Sequence, residues 1–127
     1  DAIEAVAKSL PALMRARKVL EKAGHAGFGF ADEEEAWGKF REEAAEFNAS
    51  TGKKSEEEEL GDLLLAISSI AGIRGIDAEL ALEQATDRFI RRFRFVEEEA
   101  ARIGKKTEDM PAFELDRLWA KAKQNGL

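Results

Sequence analysis

The chain reads as an all-α protein, and three observations lead there. Apolar residues recur at three- and four-residue spacing over long stretches. Only two prolines occur among 127 residues, so long helices can run uninterrupted. No alternating apolar and polar runs flank a hairpin turn; the Asn125-Gly126 pair lies at the C-terminal end. A chain of this length is expected to form one domain, residues 1–127, with material for a real core.

Five helical segments follow in order. The first is expected over Leu10 to Ala23, with Ser9 as its N-cap and Pro11 tolerated in the first turn. A glycine-rich loop follows from Gly24 to Phe30. Asp32 and Glu35 are spaced as a capping box and open the second helix, which ends near Asn48 to Gly52. Ser55 and Glu58 read as another capping box, placing the third helix over Glu56 to Arg74. Its apolar stripe, Leu60, Leu63, Leu64, Ile67, Ile70 and Ala71, is widened by Leu65 and Ile73, which suggests a helix covered on more than one side. A second subunit would supply that cover. Gly75 is expected to end this helix and Asp77 to cap the fourth, over Ala78 to Arg102. Leu82, Ala85, Phe89, Phe93, Val96, Ala100 and Ile103 share its apolar face. Gly104 stops it, and a short fifth helix carries Phe113, Leu115, Leu118 and Trp119.

Composition narrows the function. A net charge of −6 argues against non-specific nucleic-acid binding. Cysteine is absent, which removes disulfides, zinc-thiolate sites and thiol nucleophiles. There is no signal-peptide pattern and no apolar run of bilayer length, so the expected location is the cytoplasm and no membrane partner is expected. The start at Asp1 rather than Met is expected of a trimmed chain or a piece of a longer one.

Two acidic clusters carry the chemistry: Glu42-Glu43-x-x-Glu46 and Glu59-Leu-Gly-Asp62. Carboxylates three residues apart share a helix face. Two such helices, antiparallel, could aim Glu43, Glu46, Glu59 and Asp62 at one centre, where their repulsion calls for a hard cation such as Mg²⁺ or Mn²⁺. Solvated helix faces would produce the same spacing. Asp62, between Gly61 and Leu63 in an apolar helix, fits solvation less well. A di-iron site would want two Glu-x-x-His pairs, and the single histidine, His25, sits in the glycine-rich loop. Arg88, Arg91, Arg92 and Arg94 could bind phosphate or pair with Glu97, Glu98 and Glu99. Trp119 could pack in the core or stand beside Lys123 as an aromatic–cation pair. The glycine-rich loop lacks the P-loop pattern.

From Ser9 to Lys123 these motifs, in order, resemble the MazG nucleoside triphosphate pyrophosphohydrolases of the all-α NTP pyrophosphatase superfamily. The resemblance is carried by Leu10-Pro-Ala-Leu-Met-Arg-Ala-Arg-Lys18, Gly27-Phe28, Lys39-Phe-Arg-Glu-Glu-Ala-Ala-Glu46, Glu59-Leu-Gly-Asp62, Arg88-Phe-Ile-Arg-Arg-Phe93 with Val96-Glu97, and Leu118-Trp-Ala-Lys-Ala-Lys123. Twelve residues separate Glu46 from Glu59, within the family's range. The chain departs at Thr86, where the family usually has Asn, at Arg88, where it has Lys, and at Gly29-Phe30, where it has Asp-Trp.

The resemblance implies a helical bundle whose four-helix core is completed by dimerisation, as a homodimer or a dimer of dimers. It implies Mg²⁺-dependent hydrolysis of NTPs or dNTPs to monophosphate and pyrophosphate, for nucleotide-pool housecleaning, with Mn²⁺ as a substitute ion. Glu43, Glu46, Glu59 and Asp62 would ligate the metal, and Glu42 would orient or deprotonate the water. Lys39, Arg88, Arg92 and Lys123 would face the triphosphate, with Lys39 and Arg92 acting in the reaction, and Trp119 would lie near the nucleotide. The competing expectation is a dimerisation or regulatory module that binds nucleotide and turns over little.

Overall fold

Proline decides where the first long helix begins. In the computed structural model, which describes residues 3–127, Pro11 has φ −51° and ψ 143°, so it caps α1 (Ala12–His25) instead of lying within it. A residue before proline is steered out of the α region. The expected start at Leu10, with Ser9 as N-cap, is therefore corrected. The other end lies beyond Ala23: Gly24 and His25 stay helical, and the Ala26 amide donates to the Lys22 and Ala23 carbonyls.

The remaining helices are α2 (Glu33–Ala49), α3 (Lys53–Ile73), α4 (Ala78–Arg102) and α5 (Ala112–Gln124), with one-turn 3-10 helices at Ile3–Ala5 and Thr107–Asp109. Among the described residues there is no strand, so the fold is all-α as expected. No helix among them is long and apolar enough to cross a membrane.

Asp32 caps α2, its Oδ1 accepting from the Glu35 amide at 2.8 Å. Asp77 caps α4 in the same way, accepting from the Leu80 amide at 3.0 Å. The expected Ser55–Glu58 box does not form the start of α3. Gly52 has φ +91° and turns the chain earlier, and its carbonyl accepts from the Glu56 amide at 2.9 Å. Ser55 is thus already inside the first turn. The α3 helix closes as its glycine implied: Gly75 has φ +68°, and the Ile76 amide donates back to Ala71 at 2.8 Å.

The chain divides into two compact units, one ending at Ala81 and one spanning Leu82–Leu127. In the first, α2 packs on α3 and α1 packs on α3. Only Ser50 to Gly52 join α2 to α3, which forces an antiparallel pair. The open end of that hairpin is clamped. Arg74 donates from Nε and Nη2 to the Glu33 carboxylate at 3.0 and 2.8 Å, and its guanidinium lies 5.8 Å from the Trp37 ring centroid. Trp37 Nε1 donates to the same carboxylate at 3.2 Å. The Arg74 guanidinium holds Glu33 below the ordinary carboxyl value.

The first unit buries Val6, Ala36, Glu43, Ala66, Ser68 and Ile70; the second buries Val96, Ala100, Met110 and Ala122. The expected apolar stripes are therefore only partly covered. On α3, Leu60, Leu64, Leu65, Ile67 and Ile73 are exposed. On α4, Val96 and Ala100 are buried while Leu82, Phe89 and Phe93 are exposed, as is Ile103 just past its end.

Candidate metal centre and adjoining cavity

The antiparallel α2–α3 pair brings the two acidic clusters together. Glu43, Glu46 and Glu59 each present a carboxylate oxygen, and these lie within 4.8 Å of one another. Glu43 and Glu46 are one turn apart on α2, as the spacing predicts. Glu43 is buried at 5% exposure, Glu46 is exposed and Glu59 is half-buried. Asp62 lies one turn beyond Glu59 on α3, outside this group of three, and lines the adjoining cavity. The expectation that Asp62 fits solvation poorly is corrected: Asp62 is exposed.

The donor set fits a hard cation. Glu43 Oε2 and Glu59 Oε2 are buried, and neither has a hydrogen-bond partner among the described residues. A buried carboxylate oxygen with no donor is costly, and an oxygen-ligated divalent ion removes that cost. Lys39 partly compensates, with Nζ 2.9 Å from Glu43 Oε1 and 4.0 Å from Glu42 Oε2. Glu43 holds Lys39 above the ordinary amine value, by hydrogen bond first and then by charge.

Repulsion shows most clearly at Glu46. The charge of Glu43, then lost hydration, then the charge of Glu59 hold its carboxyl above the ordinary value of 4.5. A carboxyl raised on folding destabilises the protein once it ionises, so that strain is full at pH above the folded value and relieved as pH falls through it. Glu46→Gln is therefore expected to raise the metal-free melting temperature at neutral pH. It should also shrink the rise produced by Mg²⁺, because a ligand is lost. Thermal unfolding with and without Mg²⁺ checks both signs.

Beside the carboxylates lies a cavity of about 810 Å³, within the usual range for small-molecule sites. Lys39, Glu43 and Asp62 line it, as do Phe28 and Phe30 of the glycine-rich loop and the Arg17–Glu21 pair of α1. The cavity follows α3 from Asp62 to Ile73, roughly 16 Å of helix at 1.5 Å per residue. Phe28 is 81% exposed, so it is no core plug. Sequence reasoning passed over Arg17, Glu21, Ser68 and Ser69, which also line this cavity. The signal available was the serine pair breaking the apolar run of α3. Ser68 is buried and its hydroxyl donates to the Leu64 carbonyl at 2.8 Å.

The remaining expected substrate contacts all lie in the second unit. Arg88 and Lys123 are exposed, while Arg92 and Trp119 are half-buried. Arg92 Nε donates to the Leu127 carbonyl at 2.8 Å, and its guanidinium stands 5.9 Å from the Trp119 ring centroid. Trp119 also packs on Phe89 at 5.1 Å, and the cation beside its ring is Arg92, whereas the sequence suggested Lys123. Glu99 pairs with Lys121 at 3.1 Å and Arg102 at 3.7 Å, not with the arginines preceding it.

No family model matches the chain. Curated proteins do. A Thermotoga maritima protein named nucleoside triphosphate pyrophosphohydrolase/pyrophosphatase MazG is 38% identical over 114 residues, covering 90% of this chain and 45% of that protein. An Escherichia coli K12 protein named nucleoside triphosphate pyrophosphohydrolase is 34% identical over 129 aligned positions, covering 98% of this chain and 49% of that protein. Bacillus subtilis YabN, named an uncharacterized protein, is 39% identical over 66 residues, 52% of this chain and 14% of its own length. The chain spans about half the length of the two pyrophosphohydrolases it matches. Its acidic helix pair and its sequence agree: the chain is a homologue of the MazG nucleoside triphosphate pyrophosphohydrolases, corresponding to about half of one.

Proposed function

We propose that this chain is a single MazG-like catalytic domain that hydrolyses nucleoside triphosphates to the monophosphate and pyrophosphate in the cytoplasm, clearing or balancing nucleotide pools. One observation carries the reading: the unpartnered buried oxygens of Glu43 and Glu59 next to Glu46, beside a cavity of about 810 Å³. The names of the homologues supply the reaction class.

Glu43, Glu46 and Glu59 would hold Mg²⁺, with Asp62 joining from the cavity side. The ion, when bound, neutralises phosphate charge and lowers the pKa of water. Everything else falls to the chain's own groups. Glu42 is largely exposed, adjoins Glu43 and lies 4.0 Å from Lys39 Nζ, and it is the proposed acceptor of a proton from the attacking water. That water forms a bond to the α-phosphorus as the α–β bridging oxygen leaves with pyrophosphate. Lys39 lines the cavity and can stabilise the leaving charge. Arg88, Arg92, Lys123 and Trp119 are proposed as further nucleotide contacts. The exposed apolar face of α3 supports assembly as a homodimer or dimer of dimers.

The test is chromatographic product analysis over a panel of NTPs and dNTPs with Mg²⁺. Monophosphate with equimolar pyrophosphate is expected. Diphosphate with orthophosphate would refute α–β cleavage. Metal-dependent nucleotide binding without any product would make the chain a regulatory module instead.

A further inference from the structure

We infer that Lys39 is a tethered counter-cation, which neutralises the carboxylate centre while no metal is bound and is displaced into the cavity when a divalent ion takes Glu43. The inference rests on the metal-centre reading above. Its geometry is local to α2. Lys39 and Glu43 are four residues apart, so the lysine stem lies along the helix and delivers Nζ to Glu43 Oε1 at 2.9 Å. The lysine side chain is 48% exposed and the glutamate's 7%, so the pair joins a half-exposed cation to a buried anion.

The two cations cannot both be accommodated at full strength. A divalent ion on Glu43 would place two further charges beside the ammonium. Lys39 is the partner free to move, because its stem is flexible and the cavity it lines is open to it. That cavity is also where the phosphates would lie. The released ammonium then finds an anion there, so metal and triphosphate favour each other's binding through one side chain. Such coupling is reciprocal.

The test measures Mn²⁺ binding alone, by calorimetry, on the wild type and Lys39→Met. The variant is expected to bind Mn²⁺ about tenfold more tightly, the factor set by one charge-assisted hydrogen bond no longer broken. Its metal-free melting temperature should fall below the wild type's, and the gap should close at saturating Mn²⁺. Nucleotide turnover should fall at the same time. A lysine that only contacts phosphate would lower turnover and leave Mn²⁺ affinity unchanged; that result overturns the inference, as does weaker binding. Lys39→Arg keeps a cation that holds a carboxylate at least as firmly, and it is expected to bind Mn²⁺ no more tightly than the wild type. Tighter binding there also overturns the inference, which keeps the test decisive if Lys39→Met does not fold without metal. A wild type that binds no Mn²⁺ at all sinks the metal-centre reading itself.

Discussion

Glu43→Ala is expected to abolish pyrophosphate release while the chain remains helical. Glu43 is the most buried of the three converging carboxylates, and its Oε2 meets no donor among the described residues. Removing the side chain takes away the ligand best fixed by its surroundings, and the loss should exceed the ten- to hundredfold that an outer-shell partner typically costs. A fall of at least about a hundredfold is the expected result in a Mg²⁺-replete assay. Stability is expected to hold, because the carboxylate is also the largest source of repulsion on Glu46. Circular dichroism separates loss of function from loss of fold. Asp62→Asn is the sharper companion, since Asp62 stands apart from the three and faces the cavity. If Asp62 ligates, turnover and metal affinity fall together. A fall in turnover at unchanged Mg²⁺ affinity would assign it to substrate instead. Wild-type rates in Glu43→Ala would remove the basis of the proposed reaction.

The elements were legible in the sequence because local rules fixed them. Asp32 and Asp77 do cap helices, and the stop at Gly75 follows from its positive φ. The missed boundaries have local causes too. Pro11 restrains Leu10, and Gly52 turns the chain before Ser55 can act as a cap. In the site, spacing alone placed Glu43 with Glu46, and the short link after α2 brought Glu59 opposite them. What spacing could not give was burial. Asp62 and Glu59 share a helix face, yet one is exposed and the other half-buried, because exposure depends on what the rest of the fold lays over α3. The Arg17–Glu21 pair escaped notice for a related reason: an ion pair four residues apart looks like any solvated helix face until a cavity opens beside it.

Leu64→Glu is expected to break the proposed assembly. Leu60, Leu64 and Ile67 follow one side of α3 at spacings of four and three, with exposures of 41%, 48% and 37%. They are part of the stripe that sequence periodicity assigned to a core, so the pattern is satisfied only if a further surface covers it. A fully buried leucine contributes about 1.5–3 kcal/mol relative to an exposed one. Covering the exposed half of Leu64 therefore contributes on the order of 0.7–1.5 kcal/mol per copy. A twofold interface loses that contribution twice, about 1.4 kcal/mol at the low end, and a glutamate there must also be desolvated. Dissociation should then be at least about tenfold easier. Light scattering over a dilution series reads the result as a shift toward the single-chain mass. Leu64 is five residues from Glu59 and two from Asp62, which turns it well round the helix from both, and it is absent from the cavity wall. Mg²⁺ binding by the separated chain should therefore survive. An unchanged mass over the whole series would mean that this stripe is not the contact between copies, and the exposed aromatic face of α4, with Phe89 and Phe93, would be the next surface to charge.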